Sequence, residues 1–218
     1  MRKKIFRAIA TYVLVFILGG MASTFLFPSL RYISLLKRIP PIDKDTAYEE
    51  AIMSNEEQVR RFSDGSWTEL SDEEKVAAMQ TIVDIEVIYL GLPHEVPIIV
   101  KDLPHNTYAQ YSSKERTIHI NEILMDEETS PYMVLSVICH EIYHAYQFAQ
   151  VYLYDSTNEM FQGLRIFDEA REYKYELTGF FKNSEGASWW EYKSQTMEMN
   201  ADKYGYSSAN FYMEYFDE

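Results

Sequence analysis

One cysteine, Cys139, stands in a chain of 218 residues, so no intrachain disulfide can form. It lies far from the amino-terminal leader, which rules out a lipidated leader cysteine. Cys139 therefore reads as a small buried hydrophobe. Basic residues are scarce beyond the leader. Residues 1–44 hold eight Lys/Arg and one acid, which leaves 12 Lys/Arg against 33 Asp/Glu, a net of −21, for residues 45–218. Such a surface repels polyanions and argues against nucleic acid as a partner. Acidity of this kind reads first as a solubility device. No internal repeat or low-complexity tract is present.

Long apolar runs are confined to one place. Arg2, Lys3, Lys4 and Arg7 precede an apolar stretch from Ala8 to Phe27 that ends at Pro28. About 20 such residues span a bilayer at a rise of about 1.5 Å each. Gly20-Met21-Ala22 offers a cleavage site for a secretory signal, yet Phe25, Leu26 and Phe27 continue the run beyond it. The expectation is a single-pass anchor over residues 1–30, with the remaining chain outside the cytoplasm; cleavage of the leader would make it secreted. A juxtamembrane segment and polar helix follow over residues 31–70, and the main domain over residues 71–218.

What the chain does have is His140-Glu141-Ile142-Tyr143-His144, an H-E-x-x-H run in an apolar segment. Histidines four apart share one helical face at roughly 6 Å. That spacing lets both grip one zinc ion, with Glu141 placed to take a proton from a water beside it. A catalytic zinc site needs a third protein ligand. Gln147 and Gln150 stand where a metzincin would need Gly and His, and the chain holds no second E-x-x-H for a di-iron bundle. A carboxylate from a later helix remains. Glu198 and Asp202 share a face, so Glu198 could ligate while Asp202 accepts a histidine ring N–H. Ala201 between them is small enough for close helix approach. Glu169, Glu172 and Glu176 stay open as alternative ligands.

His140-Glu141-x-x-His144 followed by Glu198-x-x-Ala201-Asp202-x-Tyr204-Gly205 resembles the gluzincin pattern. The second half is similar to the E-x-x-A-D/N run of ImmA/IrrE-type and HtpX-type zinc peptidases. His144-Ala145-Tyr146-Gln147 and Gln195-x-x-Glu198-x-x-Ala201 also resemble small bacterial metallopeptidase-like proteins. The likeness covers roughly residues 96–206. It implies a zincin-like α+β domain, mostly helical with a small sheet, in which His140, His144 and Glu198 bind zinc and Glu141 is the catalytic base. In the thermolysin form an Asn precedes the third ligand; here Met197 does.

Local patterns place these residues. Residues 45–62 suggest a first polar helix, and Ser71-x-x-Glu74 is a capping box that predicts a helix over 72–90 ending at Gly91. Val96 to Lys101 predicts a strand. Tyr108–Tyr111 and Arg116–Asn121 predict a hairpin around Ser112–Glu115. Its second arm is expected at the sheet edge, where an extended substrate would pair, with His119 exposed. Ser130 and Pro131 open the motif helix, and Arg165–Lys182 predicts another. Tyr204, Tyr206 and His119 are the candidates to stabilise an oxyanion. Trp189-Trp190 and the tyrosines around 146–175 read as packing.

The functional expectation is a membrane-tethered, extracytoplasmic zinc peptidase acting on a peptide or protein substrate. A non-catalytic binding or scaffold protein that retains a gluzincin fold is the alternative from another class. A zinc hydrolase of non-peptide amides is chemically equivalent to the peptidase, because zinc and base serve both.

Overall fold

A computed structural model describes residues 44–63, 65–104, 106–180 and 192–216. The leader and Trp189-Trp190 lie outside these. Among the described residues, no helix is long and apolar enough to cross a membrane. The chain is mostly helical with one three-stranded sheet, an α+β arrangement.

Two short helices come first, α1 (Lys44–Ser54) and α2 (Glu56–Arg60). The single helix expected over 45–62 is broken at Asn55, whose side-chain amide donates to the Ala51 carbonyl at 2.8 Å. Helix α3 (Asp72–Leu90) has the bounds its capping box predicts. The Ser71 N–H donates to Glu74 Oε2 at 2.9 Å and the Glu74 N–H to Ser71 Oγ at 3.3 Å. Gly91 closes the helix at φ 66°, a left-handed cap that glycine adopts without strain.

Strands β1 (Ile98–Val100), β2 (Ala109–Ser112) and β3 (Thr117–Ile120) follow. Their order is β1-β3-β2, with β3 parallel to β1 and antiparallel to β2. This corrects the expected edge strand: β3 is the central strand, bonded on both sides and buried along its whole length. His119 is likewise buried rather than exposed, with Nε2 2.8 Å from Glu115. Alternation along one strand identifies its two faces but not its neighbours, and β1 returns to pair with β3 from outside the hairpin.

Helix α4 (Pro131–Ser156) is capped by Ser130, whose Oγ accepts from the Met133 N–H at 3.2 Å. Short pieces follow: α5 (Glu159–Gln162), a 3₁₀ turn (Arg165–Phe167), α6 (Asp168–Tyr175) and a π-helical turn (Glu176–Phe180). The single helix expected from Arg165 is thus broken into segments. Helix α7 (Thr196–Glu214) closes the described chain.

The core lies between α3, α4, α7 and the sheet, and it runs across residue 70. Ile52, Val59, Phe62 and Trp67 share it with Met79, Ile82, Leu135 and Ile138. Glu86 is buried inside it and accepts from Tyr48 (3.4 Å), Tyr212 (2.8 Å) and Tyr204. Burial raises the Glu86 carboxyl pKa, and the three hydroxyls oppose that rise. Unpaired, this carboxylate would be costly; with three donors it ties α1 and α7 to α3.

Helices α4 and α7 pack closely because residue 205 is glycine. A Cβ there would stand 2.5 Å from the Ser136 carbonyl oxygen and 3.2 Å from His140 Cβ. Ala201, one turn earlier, is fully buried. We predict that Gly205→Ala lowers the unfolding free energy by about 1–3 kcal/mol, as expected of overpacking against backbone. Urea denaturation of the purified protein checks this; a stability unchanged within error would contradict the close contact.

Candidate metal centre

Helix α4 brings His140 and His144 to one face, and α7 lays Glu198 against them. The two Nε2 atoms are 3.0 Å apart, with the rings nearly perpendicular. Glu198 Oε2 is 3.7 Å from His140 Nε2, and Oε1 is 3.3 Å from His144 Nε2. Donor atoms about 2.0–2.1 Å from a tetrahedral zinc stand about 3.3 Å from one another. The observed separations bracket that value, and the three side chains form a group able to hold a metal ion.

The remaining ring nitrogens are also engaged. His140 Nδ1 lies 2.9 Å from Asp202 Oδ1, and His144 Nδ1 lies 2.7 Å from Gln147 Oε1. Both acceptors favour the Nδ1–H form, which turns the Nε2 lone pairs inward. Gln147 in turn donates from Nε2 to the Met197 carbonyl at 2.9 Å, linking α4 to the start of α7. The Nε2 atoms and the Glu198 carboxylate are then acceptors facing one point. A shared cation, proton or metal, at that point would relieve their repulsion.

Glu141 is buried beside this group, and its Oε2 accepts from the Tyr111 N–H of β2 at 2.7 Å. Burial raises its pKa, opposed by the charge of His144 and by that N–H. Burial and the charge of His144 push the His140 pKa down to about 4, with Glu198 and Asp202 opposing. For His144, burial alone would lower the pKa, but the hydrogen bond it donates to Glu198 and the charges of Glu141 and Glu198 raise it. Burial also acts upward on Glu198, yet the hydrogen bond and charge of His144 hold it down to about 2. With the His144 pKa raised and that of His140 lowered, His144 is the more basic of the two rings.

Two residues that the sequence reading missed complete the site. The Tyr192 hydroxyl donates to Glu198 Oε1 at 2.5 Å. Lys193 Nζ lies 2.9 Å and 3.1 Å from the Asp202 carboxylate oxygens and 3.5 Å from Glu198 Oε2. Neither residue has a motif spacing that would have marked it. Gln147 was legible as a mismatch to the metzincin pattern and as part of the His144-Ala145-Tyr146-Gln147 run, but not as a partner of His144.

Several alternatives are engaged elsewhere. Glu176 accepts from the Thr196 and Met197 N–H groups at 2.7 and 2.9 Å, capping α7, and Glu172 accepts from Thr196 Oγ1 at 2.8 Å. Tyr204 is spent on Glu86 and His119 on Glu115, while Tyr206 is 55% exposed.

Metal binding must displace the His144 proton, whereas His140, depressed to about 4, is already neutral near pH 6. Affinity should rise about tenfold per pH unit from about pH 5 until the raised His144 pKa is passed, then level off. Calorimetric zinc titration at about pH 6 in buffers of different ionisation enthalpy should show about one proton released. Release of two, or none, would contradict this charge assignment. Comparison of the chain with protein-family models, with curated proteins and with solved structures returns no match, so the reading of this site rests on its residues and geometry.

Proposed function

We propose that the chain is a zinc-dependent peptidase of gluzincin type, tethered to a membrane by its leader and acting outside the cytoplasm. The observation that carries this reading is the convergence of His140, His144 and Glu198 with the Glu141 carboxylate buried alongside. The sequence resemblance and the apolar run Ala8–Phe27 support it independently.

His140, His144 and Glu198 would hold the ion, with Asp202 and Gln147 orienting the two rings. When bound, zinc supplies an electrophile that acidifies water and polarises a carbonyl. Glu141 takes the proton of the attacking water and passes it to the departing amine nitrogen. Its raised pKa suits that exchange, and the Tyr111 N–H holds one of its carboxylate oxygens in place.

The strand beside the site is β2, not β3. The Asn121 N–H bonds the Tyr108 carbonyl and the Arg116 N–H bonds the Ser112 carbonyl. By alternation, the backbone groups of Ala109 and Tyr111 point away from β3. The Tyr111 N–H is held by Glu141, so an extended peptide would pair through the Ala109 groups and the Tyr111 carbonyl beside Glu141, and this favours a peptide over a non-peptide amide.

Glu141→Gln removes the base while preserving shape. Turnover of a peptide substrate should fall by about 10²–10⁴-fold with zinc content unchanged. Retention of wild-type turnover would rule out this mechanism; loss of the metal itself would mean that Glu141 holds the ion rather than the proton.

A further inference from the structure

The polypeptide just ahead of α7 brings a cation into the site that the proton transfers do not use. Resting on the zinc reading above, we infer that Lys193 is a positioning residue of the metal centre. Acting through Asp202 and Glu198, its ammonium shares the two carboxylates that draw a cation to His140, and so sets how tightly a divalent ion is held.

The contacts carry this. Lys193 Nζ binds both oxygens of Asp202, at 2.9 Å and 3.1 Å, while Asp202 Oδ1 also lies 2.9 Å from His140 Nδ1. The carboxylate charge that would make this imidazole a stronger ligand is therefore divided between a ring N–H and an ammonium. The same Nζ lies 3.5 Å from Glu198 Oε2, the oxygen that stands 3.7 Å from His140 Nε2. Among the described residues, no Lys or Arg other than Lys193 is ion-paired to Glu198 or Asp202. With Glu141 as the carboxylate base, three acids against this one ammonium leave a charge of −2, which one divalent ion cancels.

Two effects of Lys193 oppose each other. Its charge repels a divalent ion, whereas its grip on Asp202 steadies the carboxylate behind His140. The charge decides the sign, because Asp202 does not need the grip. Asp202 sits in the second turn of α7, whose start is locked by Gln147 and Glu176, and the His140 ring N–H remains as its donor. Lys193 carries a compact charge on a flexible four-carbon stem, which fixes little. Both side chains are half-buried, so water and salt screen part of the repulsion and keep the effect modest.

The test is the zinc affinity of the purified full chain, read by competition with a chelator. It uses Lys193→Met, Lys193→Gln as a second neutral variant, and Lys193→Arg, which keeps the charge. Both neutral variants should bind zinc about tenfold more tightly, the scale on which partners behind metal-ligating histidines act, and the arginine variant within about threefold of wild type. In an Asp202→Asn background the gain from Lys193→Met should shrink, because the ammonium there has one carboxylate to share instead of two. A gain undiminished in that background would overturn the route through Asp202. Thermal unfolding of the metal-free proteins checks that each is folded. Weaker or unchanged zinc binding in the neutral variants, or an arginine variant as tight as the methionine one, would overturn this role for Lys193 alone. A folded wild type that takes up no zinc would overturn the zinc reading and this inference with it.

Discussion

The approach of α7 to α4 at Gly205 is the contact on which the site depends. A backbone carbonyl, Ser136 O, occupies the space a side chain at 205 would need. With that distance fixed, helical periodicity sets the rest: Asp202 and Glu198 lie progressively further along the same face and meet His140 and His144. Gln147 and Glu176 lock the axial register, one binding the Met197 carbonyl and the other the N–H groups of Thr196 and Met197. The start of α7 is thus held from both sides just before it delivers Glu198.

Two buried glutamates show how environment separates structure from chemistry. Glu86 and Glu141 both have raised pKa values caused first by burial. Glu86 is surrounded by three tyrosine hydroxyls from two other helices, so its acceptor capacity is used internally. Glu141 receives one backbone N–H and lies within reach of the His144 charge. The first cross-links the core; the second lies beside the histidines, where the proposed mechanism uses it as the base. Its motif marked Glu141 in the sequence, whereas nothing local marked Glu86.

Much of the local structure was legible because it follows from short-range chemistry. The Ser71–Glu74 capping box marks the start of α3, and Ser130-Pro131 marks α4. The i, i+4 spacings of His140 with His144 and of Glu198 with Asp202 already implied shared faces. What sequence could not convey was lateral order and long-range partnership. The central place of β3 depends on β1 arriving from the far side of the hairpin. Tyr204 stood in a motif-like run yet turned to Glu86, whereas Tyr192, outside any pattern, reached Glu198. Such pairings depend on how helices dock, and no periodicity encodes them.

The central claim is that a later helix completes a metal site begun by the H-E-x-x-H helix. Zinc binding by the purified chain and by its Glu198→Ala variant tests it most directly, using mass-spectrometric metal content and competition with a chelator. The account predicts about one zinc per chain, with affinity sharply weakened in the variant. A folded wild-type protein that takes up no zinc, or equal affinity in both proteins, would contradict it.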